Sequence, residues 1–208
     1  MRYRPGHKLR STLRIRQAAA ALFRKRGFAA TGVDAVMAAV KLTAGSFYTH
    51  FRSKQDLLAQ ALDEAFEQSR GHWPLQLKDL RGQSFVRELA SFYLSPAHRD
   101  ARGSGCPMPA LAPEIDRIGG VPRAVFEKHL RGLIATVAER LESNDPRRAI
   151  AAIALCVGGL QLARAAKDPA LSNDILQASR EAAADICTAR HATPREVPST
   201  DTPHFPGD

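Results

Sequence analysis

Cysteine is scarce in this 208-residue chain: Cys106, Cys156 and Cys187 stand 50 and 31 positions apart. That spacing fits no zinc-ligand pattern and no disulfide framework, and it points to a reducing compartment. Long apolar runs are missing too. None approaches the roughly 18 consecutive residues that a membrane span requires, and the N-terminus lacks the apolar core of a signal peptide, so a cytoplasmic protein with no membrane partner is expected. Period-two alternation and clusters of β-branched and aromatic residues bounded by turns are absent, which excludes a sheet. There is no phosphate loop, no paired-histidine metal motif and no Gly-x-Ser-x-Gly elbow, so neither an enzyme nor a bound cofactor or metal is expected. An all-helical enzyme tethered to nucleic acid by its basic end, and a ligand-free architectural DNA binder, are the competing classes.

Acid is almost missing from the first quarter. Residues 1–55 hold twelve lysines and arginines against Asp34 alone, a net +11, which leaves the remainder of this +9 chain at −2. A polycationic head on a nearly neutral body is the electrostatic footprint of a protein that docks one face on phosphates.

What is present in that quarter is a dense series of helix starts. Thr31 to Asp56 reads Thr-Gly-Val-Asp-Ala-Val-Met-Ala-Ala-Val-Lys-Leu-Thr-Ala-Gly-Ser-Phe-Tyr-Thr-His-Phe-Arg-Ser-Lys-Gln-Asp. Thr31 is placed to cap a first short helix and Thr43 a second. Ser53 is placed to cap a third, with Asp56 as the return half of a capping box. Two short helices joined by a tight turn form a helix-turn-helix, whose second helix lies in the DNA major groove.

The rest of the chain continues the helical pattern. Ile15, Ala18, Ala19, Leu22 and Phe23 share one face of a helix from Lys8 to Arg26 that Gly27 ends. Lys54 to about Ser69 carries Leu58, Ala61, Leu62, Ala65 and Phe66, and links head to body. Phe85, Leu89 and Phe92 mark a helix ending near Pro96, and residues 95–105 read as a charged loop. Pro107 and Pro122 open two further helices. Asp145-Pro146 starts an alanine-rich one reaching Ala166, and a last helix runs from near Ser172 to about Ala189. Residues 1–55 are thus a DNA-binding head, 56–190 a helical body and 191–208 a polar, proline-containing tail expected to be disordered.

The run Leu42-Thr43-Ala44-Gly45-Ser46-Phe47-Tyr48-Thr49-His50-Phe51, followed by Ser53-Lys54, resembles the TetR/AcrR family of bacterial transcriptional regulators, over roughly Arg14 to Ala61. The body matches that family only in being all-helical and of similar length. Lys41 departs from the pattern, because the family usually has glycine at this turn. If the position needs a positive φ, lysine costs on the order of 1 kcal/mol.

Residue type suggests the roles in the head. Val33, Val36, Leu42, Phe47, Phe51 and Leu57 are expected to pack on Leu22, Phe23 and Phe28. Thr43, Ala44 and Ser46 have short side chains that let the helix reach base edges, and Gly45 lets backbone approach the double-stranded operator closest. Tyr48, His50 and Lys54, with Thr31 at the preceding helix, are placed for phosphates.

The resemblance implies a homodimer built from the last two helices of each subunit. Ile153, Gly158, Gly159 and Leu162 on one, with Ile175, Ala178, Ala182 and Ile186 on the other, are the candidate interface. It also implies a small-molecule effector in the body that releases the DNA, and the composition favours an apolar or aromatic one. Candidate lining residues are Trp73, Phe85, Leu89, Phe92, Tyr93, Met108, Leu111, Ile115, Phe126, Leu130 and Leu133, with His98 and His129 as polar groups; all serve equally well as ordinary core. Cys106, between Gly105 and Pro107 at a helix start and near Arg99 and Arg102, is either a structural thiol or a redox or electrophile sensor whose pKa the helix dipole and cations lower.

Overall fold

The computed structural model describes residues 5–141 and 144–186, and every regular element among them is helical. The head comprises α1 (Pro5–Arg26), α2 (Val33–Ala39) and a 3-10 segment, Ala44–Thr49. Helix α3 (Lys54–Gly71) runs out of it into the body. There follow a 3-10 turn (Leu75–Lys78), α4 (Gly82–Tyr93), the short α5 (Pro96–Asp100), α6 (Met108–Ile118), α7 (Gly120–Arg140), α8 (Pro146–Ala165) and α9 (Pro169–Asp185).

One core crosses from head to body, because α3 serves both. Ile15, Ala19 and Phe23 of α1 meet Val36 and Met37 of α2, Phe47 and Phe51, and Leu57, Leu58 and Leu62 of α3. Farther along, Phe66 of α3 stacks on His129 of α7, ring centroids 4.5 Å apart, while His129 Nε2 lies 2.6 Å from the Asp63 carboxylate. Helix α8 packs against α9, α7, α6 and α4, burying Ala149, Ala152, Cys156, Gly159, Leu160 and Ala163. By length and composition α8 is apolar enough to cross a membrane, a property it shares with the core helices of soluble proteins.

Helix ends follow local chemistry. Ser53 Oγ accepts from the Asp56 N–H at 3.0 Å, as expected, but the Asp56 carboxylate reaches back to the Arg52 N–H at 2.9 Å, one residue before the cap. Asp145 accepts from the Arg147 N–H, and Asp168 from those of Ala170 and Leu171. The last helix therefore opens at Asp168-Pro169, earlier than the Ser172 start expected; Ser172 is buried and donates to the Ala163 carbonyl at 2.7 Å. Residues 95–105 are not all loop, because Ser95 caps α5 by accepting from the His98 N–H. Helix α7 begins at Gly120, ahead of Pro122, after Gly119 turns the chain with φ 64°. Cys187 and the tail expected to be disordered lie outside the described residues.

Candidate functional site

The recognition segment is held from below by α1. Arg14 donates to the Val40 carbonyl at 2.9 Å, at the end of α2, and Thr12 Oγ1 lies 2.8 Å from His50 Nδ1, at the end of the 3-10 segment. Between these anchors Lys41 turns the chain with φ 58°, the left-handed conformation in which glycine is at ease. The 3-10 winding is fixed locally: Ser46 Oγ donates to the Thr43 carbonyl and Thr49 Oγ1 to the Ser46 carbonyl, both at 2.7 Å. Phe47 is fully buried, stacked on Phe51 and edge-on to Tyr48.

These constraints leave one exposed edge. Thr43, Ala44, Gly45, Tyr48 and Thr49 are exposed on it, with Lys41 beside them, while Ser46 is half-buried. A side-chain carbon added at Gly45 would meet nothing within 4 Å, so the backbone there is open to close approach. Tyr48 is 75% exposed, a large aromatic left in water at the tip of a cationic head.

Three expected positions differ in detail. Thr31 does not cap α2, whose cap is Gly32; it is fully buried and its hydroxyl donates to the Gly27 carbonyl at 2.7 Å, so it braces the α1–α2 loop and reaches no phosphate. Thr43 stands at the cap of the 3-10 segment without a side-chain bond. Lys54 turns back into the head: its ammonium donates to the Phe28 carbonyl at 2.6 Å, lies 4.1 Å from the Phe28 ring centre, and has its pKa lowered by burial. His50 is half-buried, its pKa lowered by burial and then by Lys8.

Residues 15–61 match the family described as bacterial regulatory proteins, tetR family. The chain is 28% identical over 134 residues to the HTH-type transcriptional repressor DhaR of Mycobacterium sp. strain GP1, spanning 62% of this chain and 67% of that one. It is 26% identical over 122 residues to the HTH-type transcriptional repressor NemR of Escherichia coli K12, spanning 58% and 61%. A TetR transcriptional regulator from Chloroflexus aurantiacus J-10-FL superposes with a TM-score of 0.72 at 26% identity, over 88% of this chain and 96% of that one. The chain has the head of the tetR family and the fold of TetR-type regulators. It is a DNA-binding transcription regulator with a helix-turn-helix head.

In the body the expected lining residues divide. Phe92 and Tyr93 border a cavity of about 200 Å³ with Trp73, His98 and Cys106. Leu89, Met108 and Leu133 border an adjoining space of about 30 Å³, again with Trp73 and Tyr93. Phe85 borders a third, of about 250 Å³, beside Arg140. Leu111 and Ile115 are buried core, Phe126 packs edge-on against Phe66, Leu130 lies on the core, and His129 belongs to the α3–α7 contact; none lines these cavities.

The expected dimer residues divide as well. Gly158 looks into open space, Leu162 is 62% exposed, and Ala178 and Ala182 are exposed. Gly159 faces inward instead: a Cβ there would overlap Ser179 of α9 and press on Leu94. Ile153 is buried beside the second cavity, and Ile175 and Ile186 are half-buried against the core.

Cys106 is buried, and burial raises its pKa, outweighing the hydrogen bonds from Tyr93 and the Met108 backbone and the Arg164 charge that oppose the rise. Arg99 is turned to Asp100, Ser172 and Asn173, and Arg102 to the Arg164 carbonyl. The expected lowering of the thiol pKa is thus reversed by desolvation. Cys156 is pushed up to about 12 for the same reason.

Contacts that join body to head have no local sequence signal. Glu114 of α6 accepts the N–H groups of Phe28 and Ala29 at 2.9 and 2.7 Å, in the space that only a glycine at position 27 leaves open. Arg24 of α1 donates to the carbonyls of Ala65 and Gly105 at 3.3 Å and to Gln68 at 2.8 Å. Among the described residues no cluster of His, Cys, Asp and Glu is arranged to hold a metal.

Proposed function

We propose that the protein is a homodimeric, sequence-specific repressor that leaves its operator when the body takes up a small apolar or aromatic effector. Residues 1–55 act as the head and 56–190 as the effector-binding and dimerising body. The observation that carries this reading is the exposed edge Thr43–Thr49, open at Gly45 and backed by a cationic head. Thr43, Ala44, Gly45 and Ser46 read bases, and Tyr48 and His50 meet phosphates. Lys54 contributes charge from within the head. The names of DhaR and NemR favour repression.

A dimer is supported by an outward stripe on α8, where exposed Ile150, Ala151, Ala154 and Leu162 flank Gly158, beside exposed Leu171, Ala178 and Ala182 on α9. Effector coupling is supported by the bond from Arg24 to Gly105, which ties the cavity-lining 104–106 stretch to α1, and by the Glu114 contact one helix farther on. The protein acts by binding, in the cytoplasm, with no chemistry of its own.

Selection of bound sequences from fragmented genomic DNA tests the reading. The expected product is one or a few palindromic sites with half-sites roughly 34–36 Å apart or a multiple of that. Recovery of unrelated fragments in proportion to their length would overturn sequence-specific regulation.

A further inference from the structure

Lys41 stands where a helix end calls for glycine. Its N–H donates to the Ala38 carbonyl and the Leu42 N–H to the Met37 carbonyl, both at 3.0 Å, while Leu42 rests on the core that buries Met37. These two bonds with their apolar contact are the Schellman closure of a helix, which demands the left-handed conformation at Lys41, here φ 58°. Among the described residues Lys41 and Asn144 are the non-glycine residues at positive φ. Asparagine visits that region readily, whereas lysine does so against its own Cβ. The backbone makes the turn without help from the side chain, and an outlier held in place by its surroundings points to a use at a binding surface.

The Lys41 side chain is exposed, and among the described residues its ammonium has no acid or carbonyl partner. Nearby acceptors are taken: the Met37 and Ala38 carbonyls close the turn, and Arg14 holds that of Val40 at 2.9 Å. Asp34, the one acid of residues 1–55, lies in the first turn of α2, roughly 10 Å away along the helix axis. Several other cations of the head are turned from the edge. Arg16 pairs with Glu64, Arg24 and Lys54 are bonded to backbone carbonyls inside, and Lys25 and Arg26 close the far end of α1. Lys41, just ahead of Thr43, brings charge to the start of the exposed edge.

We propose that Lys41 is a phosphate contact of the DNA-bound head: its ammonium meets a backbone phosphate where the recognition segment enters the major groove, and the left-handed turn carries it there. The proposal rests on the Thr43–Thr49 edge facing DNA, and adds to it a residue that holds the segment in place without reading sequence. A phosphate supplies the partner that the ammonium lacks in the free protein. Each such contact releases condensed cations from the duplex, so its contribution depends on salt.

Anisotropy titrations of the full chain, on the operator recovered by selection and on a random duplex of equal length, test it between about 50 and 200 mM salt. Lys41→Gly relieves the strained turn and Lys41→Gln keeps it, and both remove the charge. Each should weaken both DNAs by about three- to tenfold near 0.1 M salt, and flatten the log–log salt slope by about 0.9 for each subunit bound. Lys41→Arg should bind as the native chain does. Lys25→Ala removes the same charge roughly 20 Å along α1 from the Thr12–His50 contact, and should change the slope far less. Unchanged affinity and slope in both charge-removing variants, a loss confined to the operator, a loss in Lys41→Gly alone, or an equal loss in Lys25→Ala would overturn the proposal. Gly45→Leu separates that failure from failure of the edge itself, because a Cβ there meets no protein atom within 4 Å and the chain stays folded. Undiminished binding by Gly45→Leu would take the edge off the DNA and Lys41 with it. Lost binding in Gly45→Leu beside intact binding in the Lys41 variants would sink Lys41 and leave the edge standing.

Discussion

Lys41 shows how one residue can obey a fold it does not suit. Its φ of 58° is forced by the geometry between two short helices, and a lysine there carries a steric penalty that glycine escapes. Lys41→Gly should raise the stability of the chain by up to about 1 kcal/mol, read as a higher urea midpoint; a lower midpoint would mean the lysine is held by contacts worth more than the strain. At the neighbouring edge, Tyr48→Phe should weaken operator and random DNA by similar factors, as the proposed phosphate role of its exposed hydroxyl requires. Salt titrations on both DNAs check this, and a loss confined to the operator would make Tyr48 a base reader. His98 sets a pH limit. Burial, its largest cause, lowers its pKa below the usual 6.5, and His50 is lowered likewise. The unfolded chain therefore takes up these protons first, so stability is full above about pH 6.5 and declines as pH falls below it. Urea midpoints from about pH 7.5 to 5 should show that decline, shallower in His98→Gln; an equal slope in both would place the titration elsewhere. Thr31 and Lys54 mark the limit of reading roles from residue type. Both are polar and stand at expected helix starts, yet each finds its partner within the head.

Among the elements, α8 carries two adjacent glycines with opposite duties. Gly159 is the point of closest approach to Ser179 on α9, inside the subunit, whereas Gly158 opens outward. Gly158→Leu should leave a folded chain that light scattering finds monomeric and that binds operator poorly. Gly159→Leu should instead destabilise the fold by about 1–3 kcal/mol or more, visible in thermal unfolding. A Gly158→Leu dimer of undiminished affinity would put the interface elsewhere. Alanine-rich sequence gave no phase to tell the two apart, since small residues surround α8 on every side. Helix starts were legible where Ser, Asp and Pro mark them, at Ser53 and Asp145-Pro146. They were misjudged at Asp168-Pro169, which opens the last helix ahead of the Ser172 start expected. Helix α5 was hidden because five residues are too few for a period.

At the scale of the whole molecule, the head's fold and exposed edge were readable from a short, dense motif. The cavity was readable only in part: Trp73, Phe92, Tyr93 and His98 were among the candidate lining residues, but Ser69 and Cys106 join them only through the packing of several helices. Cys106→Ser should leave operator affinity nearly unchanged in reducing buffer. Wild type and variant should also respond alike to mild peroxide, because the buried, protonated thiol is a poor nucleophile. Gel shifts of both proteins check this, and release of the wild type alone would assign the switch to the thiol.

Glu114 bears on how freely such heads and bodies can be exchanged. Its carboxylate completes the Phe28 and Ala29 amides from across the chain. A head excised or grafted onto another body therefore arrives with two amides unanswered, and a chimera of this regulator would keep its footing only if the recipient offers an acid where Glu114 stands.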